Sequence, residues 1–465
     1  MDRNLSASAV SEQLGAFAAS LRWENIPSDV RTRSRHLILD AVGCALAARR
    51  FDFSTVALQG ISDLAGEGHS VVIGRKLRLP LRDAVLANGI LAHGLDFDDT
   101  HSEGIVHLTV SALPTVLGVS EKENLSIREM LAAYIIAVEA GARLGAVAKG
   151  AFHQVGFHPT GVIGAFACAL AAGRLYGLDA GQLAQAQGIA LSVASGSLEF
   201  LEDGAWTKRL HPGWAGVGGI VAAALARRAF KAPRAAYEGR FGLYASYLGP
   251  RAAECDLSRA TAKLGDVWET MNVALKPFPA CHFAHAFADA AIGLHDQVPD
   301  LQQIDRITAL VPAEIVKTVC EPAAAKRRPV SDYDAKFSLP YIIAASLLRG
   351  HFTLVELEEA ALKDEQILSL AAKVEYAIDP QSTFPRHYGG EVVVRTRDGR
   401  ELRQREAVNR GSADRPLSND DIVTKFMQNG SYGLSAQRAA DISQAVLGMD
   451  ESEPARALAN VLGER

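Results

Sequence analysis

Two observations predict a mainly α-helical chain carrying a smaller α+β second domain. The first is long helical periodicity, rich in alanine and glycine, running to about residue 268. The second is a change of character after Trp268, where β-branched alternation and a hairpin signal at Asp398-Gly399 appear before helical patterning returns. Aromatic residues are only 7% of the 465 residues while glycines number 40, a mix that favours closely packed helices over a β-sandwich.

Taken in order, Val10, Leu14, Phe17 and Leu21 recur at helical spacing, and Pro27-Ser28 resets the chain before a second helix over 30–48. Val71, Val72 and Ile73 suggest a short hairpin within 70–79. Helices follow at 81–95, beginning near Pro80, then at 127–147, 161–175, 183–194 and 213–230. Strands are expected at 305–312, 374–378, 391–396 and 401–406, with helices at 284–295 and 335–348 among them. Ser418-Asn419 ahead of Asp420, Asp421 and Ile422 reads as a helix start, and 435–447 as a further helix. The expected domains are therefore 1–268, all helical; 269–405, α+β; and 406–465, helices that return to the first domain.

Composition narrows the function. Apolar residues make up 48%, enough for a real core, and the net charge of −5 offers no basic excess for nucleic acid. The five cysteines (Cys44, Cys168, Cys255, Cys281, Cys320) are odd in number and form no C-x-x-C pair. That argues against a disulfide framework, a structural zinc site and an iron–sulfur cluster, and fits a reducing cytoplasm. Residues 1–27 contain no apolar core of a secretory signal. The longest strongly apolar stretches, 162–172 and 214–226, fall short of the roughly 18–20 residues a membrane span needs.

Four polar constellations could carry chemistry. The first is His93-Gly-Leu-Asp96-Phe-Asp98-Asp99-Thr100-His101, with His107 soon after. If the preceding helix continues, His93, Asp96 and Thr100 share one face, and a carboxylate beside an imidazole orients a general base. Alternatively Asp98 and Asp99 cap a helix end and the histidines are structural. The second is Gly156-Phe-His158-Pro-Thr160-Gly161, a histidine at a helix N-terminus, either functional or capping. The third is Asp203-Gly-Ala-Trp-Thr-Lys208-Arg209-Leu-His211-Pro-Gly213, whose cations suit substrate carboxylates or else belong to a solvated loop. The fourth is Lys276-Pro-Phe-Pro-Ala-Cys281-His282, a junction pocket or a rigid linker. A weaker pair, Ala335–Tyr341 (AKFSLPY) and Arg386–Gly390 (RHYGG), adds cations and tyrosines.

Together, and in this order, HGLDFDDT with His107, GFHPTG, DGAWTKRLHPG, the segment 276–282 and AKFSLPY resemble the MmgE/PrpD family, which includes 2-methylcitrate dehydratase, cis-aconitate decarboxylase and iminodisuccinate epimerase. The resemblance implies a large helical domain built from both chain ends, a smaller α+β lid, a homodimer, and no metal or organic cofactor. Carried over residue by residue, it implies a pocket of Asp96, Thr100, His107, His158, Lys208 and Lys276, with His211 and Cys281-His282 close by; Arg209, from its residue type, is expected on a substrate carboxylate with Thr100, His211 and His282. His107 is followed by Leu108-Thr109 where relatives often carry Pro-Ser, which leaves His101 as the fallback.

The family's reactions all place negative charge on a carbon next to a carboxylate. They need a base, an acid and cations to hold and neutralise carboxylates. His107 and His158 could supply base and acid, Lys208 and Lys276 the cations, Asp96 could orient His107 and Thr100 could bond substrate. The leading expectation is a cofactor-independent hydro-lyase of the 2-methylcitrate dehydratase type. A decarboxylase or epimerase on the same scaffold is the alternative. A magnesium–diphosphate enzyme using Asp96, Asp98 and Asp99 would need a second motif, and only Asn419-Asp420-Asp421 offers itself. A non-catalytic carboxylate-binding protein is the remaining alternative.

Overall fold

The computed structural model describes residues 8–298 and 300–464. The first seven residues of the segment read above as lacking a signal lie outside them. The chain divides into two compact units, one ending at Ala274 and resuming at Ser418, the other spanning Leu275–Leu417. The sequence reading set the breaks at 268 and 405; the observed ones lie several residues later in each case.

The first unit is a helical assembly centred on Pro159–Leu175, whose side chains are buried along almost its whole length. Around it pack Thr207–Arg227, Ile127–Val147, Thr109–Glu123 and Ala180–Ala190. Glycines decide how closely these helices approach. A Cβ on Gly89, in the helix Leu81–His93, would sit 2.4 Å from the backbone of Gly213, and one on Gly219 would sit 2.4 Å from Cβ of Cys168. Backbone-to-backbone crossings of this kind need residues without side chains, which explains the small-residue composition.

Ile127–Val147 corrects the estimate of apolar lengths. By length and composition it could cross a membrane, yet its most apolar stretch lies wholly inside the unit. Glu139 and Arg143 interrupt the run in sequence but are themselves buried, with Arg143 Nε 3.5 Å from Glu139 and Glu139 accepting from the backbone N–H groups of Glu269 and Thr270 at 3.0 and 2.8 Å.

The chain's last segment returns as helices Asn419–Gly433, Ala436–Leu447 and Ala455–Leu462. The first packs along Ser28–Ala47. Its start is the expected one: Ser418 caps it reciprocally with Asp421, at 3.0 and 3.1 Å. Asp421 is thereby used in a helix cap, which removes the second acidic motif that a magnesium–diphosphate enzyme would require. The expected hairpin is a minimal ladder of β1 (Ser70–Val71) with β2 (Arg78–Leu79). A second two-residue ladder joins β3 (Thr100–His101) to β4 (Val273–Ala274).

The second unit holds a four-stranded sheet in the order β6-β5-β7-β8, with β5 Ile304–Val311, β6 Val374–Ile378, β7 Gly390–Thr396 and β8 Glu401–Glu406. β6 runs parallel to β5; the other pairings are antiparallel. Gly399 turns the β7–β8 hairpin at φ +87°. The helix His285–His295 packs on β7 and β8 and on Leu339–Arg349. The single helix expected over 335–348 is two: Asp332–Lys336 and Leu339–Arg349. Ser338 caps the second, accepting from Tyr341 N at 3.1 Å, and Pro340 fits its first turn, so the break follows from capping chemistry.

Candidate active site

The helix Leu81–His93 stops at His93 instead of continuing through the acidic run. Asp96 then adopts φ +53°, a left-handed conformation costly for a non-glycine residue, and the chain doubles back. The expected helical face of His93, Asp96 and Thr100 therefore does not form. The reversal makes a different contact: His93 Nδ1 lies 3.0 and 3.1 Å from the two oxygens of Asp98.

Asp98 also receives His107. Nδ1 of His107 is 2.9 Å from Asp98 Oδ2 and 3.2 Å from the Thr100 hydroxyl. Burial would push the Asp98 carboxyl up, but the imidazoles on either side more than offset it and hold it well below the usual carboxylate range. An ionised Asp98 is acceptor only, so both Nδ1 atoms carry the proton and both Nε2 atoms are left unprotonated in the neutral rings. Burial dominates at His93 and takes it down to about 4, despite Asp98. Nε2 of His93 is buried without a hydrogen-bond partner.

His107 is held from its backbone as well. Its N–H donates to the Thr160 hydroxyl at 3.0 Å, in the first turn of Pro159–Leu175. The turn between Thr100 and His107 is closed by the His101 N–H donating to the Val106 carbonyl at 2.8 Å. GFHPTG thus serves HGLDFDDT directly. His158 precedes the same helix, but its ring makes no cap bond, which sets aside the capping alternative. Its Nδ1 lies 3.0 Å from Nδ1 of His211, so one ring donates to the other. The His158 ring stacks 5.6 Å from His93 and lies 6.0 Å from His107. Burial, with Lys208 and the neighbouring imidazoles, depresses His158 well below its ordinary value; burial first, then His93 and Lys208, takes His211 to about 4.

Lys208 and His211 sit three residues apart on Thr207–Arg227 and face the same way. Lys208 Nζ is 2.8 Å from Asp96 Oδ2, and Asp96 Oδ1 is 3.9 Å from His107 Nε2. Asp96 thus does not orient His107 as expected: Asp98 has that position, and Asp96 links Lys208 to the far side of the ring. Asp99, expected close to this stripe, faces away, accepting from the N–H (3.2 Å) and hydroxyl of Thr109. With Asp98 and Asp99 both fully buried, neither is a solvated helix end.

Arg209, expected on a substrate carboxylate, donates from Nε to the Gly94 carbonyl at 2.8 Å, and its guanidinium lies 4.2 Å over the Phe53 ring. His101, the fallback for His107, faces Glu269 at 3.4 Å instead. Lys276 and His282 belong to the second unit. There Lys276 is buried, and the Asn409 side-chain amide donates to His282 Nε2 at 2.9 Å. His93, Asp98 and Thr160 take part in the cluster although they stand outside the pocket that the resemblance implies. His93 and Asp98 stand in the same dense run, but their partnership at a spacing of five is invisible without the reversal at Asp96.

One ring nitrogen from each of His93, His107 and His158 lies within 4.8 Å of the others, a set with the chemistry to hold a divalent cation. The same nitrogens can equally exchange protons with a substrate.

Fold and site together define a mainly helical protein whose first unit gathers two imidazoles on one buried carboxylate, beside a lysine–aspartate pair. The chain belongs to the MmgE/PrpD family. The family's N-terminal domain matches residues 12–256 and its C-terminal domain residues 278–451. Along most of its length the chain is similar to the cis-aconitate decarboxylase-like protein oryM of Aspergillus oryzae, 27% identical over 98% of both chains. It is likewise similar to cis-aconitate decarboxylase of Homo sapiens, 28% identical over 98% of this chain and 94% of the relative. The cis-aconitate decarboxylase of Aspergillus terreus is 26% identical over 95% and 94%.

Proposed function

We propose that this protein is a cofactor-independent lyase that decarboxylates a small tricarboxylate of the cis-aconitate type. The observation that carries the reading is the Asp98 bridge, which presents the Nε2 atoms of two imidazoles next to the Lys208–Asp96 pair. Relatives named as cis-aconitate decarboxylases, which are carbon–carbon lyases, support decarboxylation over the dehydration that the sequence placed first.

In this reading Lys208 takes a retained substrate carboxylate in place of, or alongside, Asp96. The carbon–carbon bond to the departing carboxylate breaks and carbon dioxide leaves. The electron pair passes into the conjugated acid, where cationic contacts stabilise it. His107, its Nδ1–H on Asp98, takes up a proton from solvent at Nε2, forms an imidazolium that Asp98 stabilises, and delivers that proton to carbon, returning to the neutral ring. His158 and His211 form a neutral pair beside it, able to pass a hydrogen bond to substrate. Thr100 steadies His107.

Dehydration of a hydroxy acid stays as the second reading, because the Asp98–His107 pair is also a ready proton acceptor and dehydration, unlike decarboxylation, needs one. The experiment is proton NMR of the EDTA-treated protein in deuterated buffer with cis-aconitate, citrate, methylcitrate and iminodisuccinate. Itaconate from cis-aconitate supports the proposal. A vinyl product from citrate or methylcitrate replaces it with the hydro-lyase, and deuterium uptake without a new skeleton replaces it with an epimerase. Silence from a folded protein leaves a carboxylate-binding protein.

A further inference from the structure

We propose that Lys425, on the returning helix Asn419–Gly433, is a positioning residue that holds the loop carrying Asp96 and Asp98 in its reactive shape. This rests on the proposed acid–base reading of that loop. Lys425 is 4% exposed, and its Nζ donates to the Phe97 carbonyl at 2.7 Å. The same ammonium lies 2.6 Å from Asp40 Oδ1, on the helix Ser28–Ala47, and 3.9 Å over the Phe97 ring.

Phe97 stands between the two site carboxylates. On one side Asp96 has positive φ and reaches Lys208; on the other Asp98 bridges His93 and His107. A left-handed non-glycine residue persists only where its surroundings over-determine it. Ties that do so here include the Asp96 N–H to the His93 carbonyl at 3.1 Å, the Lys208 ion pair, and Lys425 on the Phe97 carbonyl. The first lies within the loop's own backbone and the second uses the lysine expected to meet substrate, whereas Lys425 braces the loop from a separate helix. Asp40 aims the ammonium where water does not reach. A residue more than three hundred positions downstream in sequence thus fixes the geometry of the loop.

The test separates this role from plain stability. Lys425→Met alone leaves Asp40 as a lone buried charge, so it is paired with Asp40→Asn/Lys425→Met, in which both members are neutral and of similar shape. The double variant is expected to melt near the wild type yet show kcat reduced roughly 10- to 100-fold with little change in KM. The downfield imidazole N–H signals of His93 and His107 on Asp98, recorded without substrate, are expected to shift or vanish while the circular dichroism is unchanged. Wild-type kcat in a folded double variant, or unchanged downfield signals, would overturn the proposal. If the wild type turns over none of the acids tested, the reading of the reaction fails by itself, and the downfield signals still decide the role of Lys425.

Discussion

Asp98 and His107 form the central relationship of the site: Oδ2 of the fully buried carboxylate lies 2.9 Å from Nδ1 of the imidazole, while its other oxygen serves His93 at 3.0 Å. One anion therefore sets the tautomer of two rings. Asp98→Asn keeps the shape but brings an amide N–H against one of the two Nδ1–H groups. Turnover is expected to fall by about 100-fold or more while the fold persists, measured by steady-state kinetics beside circular dichroism. Activity within a few-fold of wild type would show that His107 needs no oriented proton.

Lys208 carries the positive charge next to His107, paired with Asp96 at 2.8 Å. Lys208→Ala is expected to lower kcat/KM by about 100-fold, and Lys208→Arg to recover part of it because the charge is retained. Equal loss in both variants would assign Lys208 to loop geometry instead of substrate charge.

Acid–base balance of the core makes a signed prediction for stability. His93 and His211 are taken from 6.5 to about 4 in the folded protein, mainly by burial, so unfolding takes up protons between those values. Their contribution therefore rises from pH 4 to about 6.5 and stays above it. Asp99 is raised from 3.8 to about 7, again first by burial, so its contribution is present at acid pH and lost as pH rises through 7. Melting temperature should climb to about pH 6.5, less steeply than the histidines alone would give because Asp99 opposes them from about pH 4, then decline slightly and level off just above pH 7. Asp99→Asn should steepen the climb and abolish the decline. A decline that persists in the variant, followed by calorimetry, would assign it elsewhere.

The crossing of Leu81–His93 with Thr207–Arg227 sets where Lys208 stands relative to Asp96. A Cβ at Gly213 would lie 2.4 Å from the Leu86 carbonyl oxygen, so the backbones must part. Gly213→Ala is expected to cost about 1–3 kcal/mol and to lower activity together with thermal stability, seen in melting and rate measurements on one preparation. Unaltered melting would mean that the helices separate freely there.

Much of this arrangement can be read from residue order. The capping box at Ser418, the Asp398-Gly399 hairpin and the start of the helix after Pro80 are short-range signals, and each element begins or turns where local chemistry dictates. The motif residues Asp96, His107, His158, Lys208 and His211 gather in one place, although more than a hundred positions separate the first from the last. The assignments within that cluster were harder to read. Asp98 takes the place beside His107 expected of Asp96 because a single positive φ reverses the chain, and nothing in the composition of HGLDFDDT marks which residue takes it. Arg209 looks like a carboxylate ligand by type, and its contacts with the Gly94 carbonyl and the Phe53 ring could not be read from its place in the motif.

The sequence by itself determined the helical and α+β character of the two units, the family, and the residue types available for acid–base work, since periodicity, turn chemistry and motif order are local properties. Tertiary structure alone decided which carboxylate orients His107, that Thr160 and Lys425 brace the site from separate helices, and that the apolar helix Ile127–Val147 is core. Those outcomes depend on burial and on contacts between segments far apart in sequence, where desolvation and ion pairing act on groups that the linear order keeps apart.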